Sequence, residues 1–130
     1  MIRILCAAVL LFTLAVGAQS ARAAELIMFD LKGCPWCAKW HAEIGAAGYA
    51  RLPGADRAPL RVYLVGTPAP DDIKPLLPIA GTPTFVLVDN GVEIDRFSGY
   101  AGEGSFFGRL QLALDKLGGA DRQYKTIIVQ

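Results

Sequence analysis

Histidine, methionine and cysteine are all scarce in this chain, and the shortage narrows its chemistry before any motif is read. The 130 residues hold one histidine, two methionines and three cysteines. A structural zinc centre usually takes four ligands, often from two Cys-x-x-Cys pairs. A chain with one such pair and one histidine is a poor host for it. Copper(I) is held by soft sulfur ligands, and Met28 falls inside an apolar run that reads as a strand. A copper-carrying module is therefore kept, ahead of a zinc site, only as a remote alternative, and no cofactor is expected. A basic excess is missing as well. The formal net charge is +1, so neither nucleic acid nor an anionic membrane is expected as a partner, because both call for clustered cations. Internal repeats and low-complexity tracts are absent.

Long apolar runs are also rare, and the one exception comes first. Arg3 is the only charge before the run from Ile4 to Ala18, which is followed by Gln19, Ser20 and Ala21-Arg22-Ala23. A charged start, an apolar middle and a small-x-small site are the layout of a secretory signal peptide. We expect residues 1–23 to be that peptide and 24–130 one domain, with a core over about 25–118 and a tail over 119–130. The run is short of the ~20 residues that a bilayer span needs, which argues against a retained anchor. Cys6 lies inside the run without the small residues upstream that a lipoprotein site would need, and reads as an apolar filler. The expected location is the periplasm. Without Arg3 and Arg22 the domain has 11 basic and 12 acidic residues, so it is near neutral. Its two cysteines are Cys34 and Cys37. Disulfides persist outside the cytosol, but a structural bridge stabilises by closing a long loop, and this pair closes almost none.

The pattern along the domain is mixed. Leu26 to Phe29 is a continuous apolar run, as in a strand buried on both faces. Pro35 stands where a helix accepts proline, at its first position. Cys37, Trp40, Ile44 and Ala47 then follow at helical spacing, with Gly48 as the stop. Tyr49 to Pro59 reads as a loop with Pro53-Gly54 as its turn. Leu60, Val62 and Leu64 alternate with Arg61 and Tyr63 as a strand. Gly66 to Thr84 holds five prolines and has room for a turn or two of helix near Asp71 to Leu77. Phe85 to Val88 is another apolar strand. Asn90-Gly91 signals a hairpin, and Val92 to Phe97 returns, with Val92, Ile94 and Arg96 on one side and Glu93, Asp95 and Phe97 on the other. Phe106 or Phe107, Leu110, Leu114 and Leu117 mark a last helix, stopped by Gly118-Gly119. Ile127-Ile128-Val129 has no clear role, as an edge strand or a loose end. The class is α/β: a mixed sheet of about four strands flanked by helices.

The chemistry is concentrated in Cys34-Pro35-Trp36-Cys37. A thiolate, not a thiol, attacks a disulfide, and a helix N-terminus favours the anion through its unpaired N–H groups and partial positive charge. Cys34 stands at such a start. Cys37 lies one turn deeper, on the inward face with Trp40. Cys34 is thus placed to attack a partner disulfide and Cys37 to resolve the mixed disulfide. Trp36 reads equally as a lip for a partner protein or as a loop aromatic over the core. His41, four residues after Cys37 and seven after Cys34, shares their helix face. An imidazolium there would lower a thiol pKa, but the plainer reading, a partly exposed histidine without a role, is preferred. Asp71-Asp72 reads as a helix-start charge pair.

Gly81-Thr82-Pro83-Thr84 precedes the third strand. A proline at a strand entrance cannot donate to the ladder, which leaves a neighbouring backbone edge free for a guest peptide. A strand, a CxxC opening a helix, Thr-Pro before an apolar strand, Asn-Gly, a return strand and a glycine together resemble the thioredoxin superfamily. The resemblance runs from about Leu26 to Leu117. It implies a thioredoxin-like fold and a thiol–disulfide oxidoreductase with Cys34 as nucleophile and Cys37 as resolving thiol. Pro83 would be cis and pack on the pair, Thr82 would offer its backbone to the substrate chain, and Gly99 would let that chain approach.

Within the superfamily, Gly33-Cys34-Pro35-Trp36-Cys37, Trp40-His41-Ala42-Glu43-Ile44, Ala58-Pro59-Leu60, Thr82-Pro83-Thr84-Phe85-Val86-Leu87 and Gly99-Tyr100 resemble the periplasmic SoxS-like thioredoxins of sulfur-oxidation operons. This implies a protein thiol or disulfide as substrate, a sulfur-carrier cysteine kept reduced during thiosulfate oxidation, and a membrane electron donor of the thiol-reducing type. The rival is an oxidant that installs disulfides in exported proteins. One departure stands out. The acid that many cytosolic thioredoxins carry six residues before the first cysteine is here Met28, which leaves water or Glu43 as the proton acceptor for Cys37.

Overall fold

Four strands form one sheet in a computed structural model that describes residues 24–128. The expected signal peptide, with Cys6, and Val129 lie outside the described residues. Strand β1 (Glu25–Asp30) pairs parallel with β2 (Leu60–Leu64) and antiparallel with β3 (Thr84–Asp89), which pairs antiparallel with β4 (Val92–Ser98). The order is β2-β1-β3-β4. The two continuous apolar runs take the two central places, where both faces are covered. A parallel pair needs a long crossover. Between β1 and β2 it contains helices α1 (Pro35–Glu43) and α2 (Gly45–Tyr49) and a 3-10 turn at Ala55–Arg57. The β3–β4 turn has positive φ at both Asn90 (50°) and Gly91 (78°), the backbone that Asn-Gly favours in a tight hairpin.

The two faces of the sheet are covered differently. On one, Leu26, Met28, Phe85 and Leu87 pack against α1, α2 and the last helix, α3 (Glu103–Ile128), through Trp40, Tyr49, Phe106, Leu110 and Leu114. Phe106 is the hub, with the rings of Trp40, Phe85, Phe97 and Tyr100 centred 4.9 to 6.4 Å away. On the other face, Ile27, Phe29, Val86 and Val88 are covered by Tyr63 and by Ile73 and Leu76 of the proline-rich segment 66–83. Its regular structure is a single 3-10 turn, Lys74–Leu76. Among the described residues no helix is long and apolar enough to cross a membrane.

Four local expectations need correction. The first helix does not run on to Gly48. It ends at Glu43, and the chain turns at Gly45, whose φ of +62° is open to glycine, so Gly48 falls inside α2. The loop after Tyr49 contains the 3-10 turn already named. In β4, the register slips opposite Leu87 and Val88, which pair with Asp95 and Glu93. The bulge leaves Ile94 unpaired and brings it to the same core as Phe97, not to the side of Arg96. Finally, α3 continues through Gly118-Gly119 to Ile128. Each helical glycine costs about 1 kcal/mol, and the helix-forming residues on either side carry the backbone ladder past both. Ile127 and Ile128 therefore end a helix and add no strand.

Candidate active site

Strand direction gathers the site. Because β1 and β3 are antiparallel, the end of β1 lies beside the start of β3, with Phe29 opposite Thr84. Thr84 in turn faces Ser98 at the end of β4. The loop after β1 with Cys34, the loop before β3 with Thr82-Pro83, and Gly99 after β4 thus meet at one end of the sheet. The Thr82–Pro83 bond is cis. The Pro83 carbonyl accepts the Gly99 N–H at 2.7 Å. Thr84 is fully buried, and its hydroxyl bonds to the Gly81 carbonyl and to Ser98 Oγ.

Cys34 is the N-cap of α1, and its sulfur accepts the Cys37 backbone N–H at 3.2 Å. Serine or aspartate oxygen does this at most helix starts. Here sulfur takes the position, with Pro35 in the first turn. The Cys34 sulfur is half-buried and lies 3.4 Å from the Thr82 carbonyl. Cys37 is buried among Trp40 and the core, and its thiol donates to Cys34 Sγ at 2.6 Å. Both cysteines are free thiols.

The two sulfurs are driven apart in acidity. Burial alone would raise Cys34, but hydrogen bonds from the Cys37 thiol, the Thr82 side chain and the backbone of Cys37 and Trp36 together hold it below the ordinary cysteine value. Burial pushes Cys37 up to about 12, and its bond to Cys34 adds to the rise, as does the Asp30 side chain. One accessible sulfur stabilised as an anion, with a protonated one behind it, is what sequential disulfide exchange requires.

The remaining candidates are sorted by their surroundings. Trp36 is 56% exposed, so it does not cover the core. It lines a groove of about 310 Å³ with Ser98, Gly99, Tyr100 and Arg109. Gly99 has a φ of +82° and open space where a side chain would begin. Trp40 is core, as is Met28. Glu43 accepts the Tyr100 hydroxyl at 2.6 Å and is not among the groups that act on Cys37. His41 bonds through Nε2 to Asp30 Oδ2 at 2.8 Å and is not among the groups that act on Cys34. Asp71 pairs with Lys74 and Asp72 with Arg61, at 2.6 Å each. Among the described residues no three His, Cys, Asp or Glu side chains gather in a way that could hold a metal ion. Asp30 is the residue that sequence reasoning passed over. Its one available signal was an acid at the end of the strand that leads into the CxxC.

No protein-family model and no curated protein matches the chain. Solved structures do. The periplasmic thioredoxin SoxS from Paracoccus pantotrophus, in its reduced form, is 35% identical, with 72% of this chain and 98% of that one covered and a TM-score of 0.64. A DsbH oxidoreductase is 16% identical, with 72% and 74% covered and a TM-score of 0.53, a likeness of fold.

Proposed function

This chain belongs to the thioredoxin superfamily as a CxxC oxidoreductase, and we propose that it works in the periplasm as a reductant for the cysteine of a sulfur-carrier protein in thiosulfate oxidation. The observation that carries the direction is the likeness, over nearly the whole of that protein, to the periplasmic SoxS thioredoxin. In this reading residues 1–23 are a signal peptide and 24–130 the working domain. A membrane protein of the thiol-reducing type returns the pair to its reduced state.

The steps follow from the two acidities. The Cys34 thiolate attacks the partner's disulfide. A Cys34–partner bond forms, and the first sulfur of that disulfide leaves with the electron pair. Cys37 loses its proton and attacks Cys34, which closes the internal disulfide and releases the partner's second sulfur as a thiol. The substrate chain lies along Thr82, Pro83 and Gly99, with Trp36 as the apolar lip of the groove. Gly99 supports this placement because nothing fills the space above it.

Two measurements test the proposal. Cys37→Ser should trap the partner on Cys34 as a stable mixed disulfide, and the trapped protein should be a sulfur carrier. A metal-carrying module would trap nothing. The reduction potential of the pair, measured against glutathione, should lie near that of thioredoxin, about −270 mV, and not near the about −120 mV of a strong periplasmic oxidant. A value at the oxidant's end would reverse the direction of electron flow and favour an enzyme that installs disulfides in exported proteins.

A further inference from the structure

The second exchange step leaves a problem that the CxxC alone does not solve. Cys37 must give up a proton while it is buried and held by its neighbours. Met28, six residues before Cys34, is fully buried and apolar, and Glu43 is engaged by Tyr100. We propose that Asp30 is the proton acceptor for Cys37 and that His41 is the positioning residue that passes this proton to solvent.

Three observations meet at this pair. Asp30 ends β1, four residues before Cys34, and its side chain helps to hold the Cys37 thiol in its protonated form. Its Oδ2 is 2.8 Å from His41 Nε2. His41 is one helical turn beyond Cys37, and residues four apart on a helix are neighbours on one face. A carboxylate bound to His41 therefore lies alongside the same strip of α1 that carries Cys37. The side chains grade outward, with Asp30 18% exposed and His41 42%, so the route from the buried thiol leads to water. Of the elements beside Asp30, α1 brings Cys37 and His41, and β2 and the residue after it bring Leu64 and Val65, both apolar. The groups that act on Cys37 itself are Cys34, Leu31, Thr82 and Asp30.

The step balances. The Cys37 S–H proton moves to an Asp30 carboxylate oxygen as the sulfur attacks Cys34. The Cys34–Cys37 bond forms, the Cys34–partner bond breaks, and the electron pair leaves on the partner sulfur, which takes a proton from water. The imidazole of His41 relays the proton from Asp30 to solvent, and Asp30 returns to the carboxylate.

The test uses a small aromatic disulfide, bis(3-carboxy-4-nitrophenyl) disulfide, so its outcome does not depend on which partner protein the enzyme serves. Reduced protein releases one coloured thiolate when Cys34 attacks and a second when Cys37 resolves, and the two phases separate in stopped flow. Asp30→Asn keeps the shape of the side chain and removes the base. The second release should slow at least about tenfold, in keeping with general-base catalysis, while the first stays within about twofold. The variant's second phase should climb about tenfold per pH unit between pH 7 and 9, following the thiolate fraction of a thiol with a high pKa, whereas the wild type is flatter. His41→Gln, at a more exposed site, should slow the same phase, and added imidazole should restore it. An Asp30→Asn variant that resolves within about twofold of wild type would overturn the proposal, as would an equal slowing of both phases.

Discussion

Cys34 and Cys37 differ by one helical turn and end with opposite acidities, and this gives the reduced protein a pH signature in stability. Cys37 has an ordinary value of 9.0 and is held near 12 by burial. An unfolded chain ionises it from about pH 9, while the folded protein keeps the proton. Its contribution to stability is thus complete below pH 9 and is lost as the pH rises toward 12. Cys34 acts in the other sense. Its lowered value favours the folded state above the ordinary 9.0, and that contribution fades as the pH falls through the folded value. In the oxidised protein neither sulfur titrates, and Tyr49 and Tyr100, both raised chiefly by burial, titrate in either form. The difference in urea midpoint between reduced and oxidised protein should therefore peak near pH 9 and decline above it. A difference that stays level from pH 7 to 11 would contradict the assignment of the two thiols.

Elements show where sequence periodicity stops being informative, and Gly45 is the sharpest case. The spacing of Cys37, Trp40, Ile44 and Ala47 runs on without a break, yet the helix turns between Glu43 and Gly45. A short segment keeps apolar residues at helical spacing on both sides of a kink, so the kink leaves no mark in the pattern. Only the glycine hints at it, and Gly48 offered the same hint. Gly45 has a φ of +62° and nothing within 4 Å of an added Cβ, so Gly45→Ala should cost about 1 kcal/mol from the backbone alone, read as a lower urea midpoint with unchanged slope. The four strands were legible because apolar runs and Asn90-Gly91 are local signals. The bulge at Ile94 was not, because it exists only in the register with Leu87 and Val88. The site divides in the same way. Cys34, Pro35 and Cys37 form a local motif, and the position of Thr82-Pro83 before a strand is local too. The Asp30–His41 bond joins a strand end to a helix and depends on how α1 lies across the sheet, so one-dimensional spacing placed His41 with the cysteines instead.

At the scale of the whole molecule, the sheet is clad by helices on one face and by the proline-rich segment on the other, and the thinner face ends in the active site. The segment owes its placement to few groups. Ile73 and Leu76 pack on Phe29 and Val86, and Arg96, on the same face of β4, donates to the Leu76 carbonyl at 2.9 Å and the Pro78 carbonyl at 3.4 Å. Glu93 holds the guanidinium in place through two bonds of 2.6 and 2.7 Å. Regions with few buried contacts open ahead of the global fold, so this cover should be the first to lift. Its last residues are anchored separately, through Gly99 N–H to Pro83 and Thr84 Oγ1 to Gly81. Arg96→Met keeps much of the apolar stem and removes the donors. Hydrogen exchange should then quicken at the Ile73 and Leu76 amides, whose own bonds are to Pro70 and Ile73, while the amides of β1 and β3 keep their protection. The rate of Cys34 alkylation at pH 7 should stay within about twofold of wild type, because the proline loop does not depend on the clamp. If exchange rose equally in the central strands, the cover would be part of the cooperative core and not a separately opening unit.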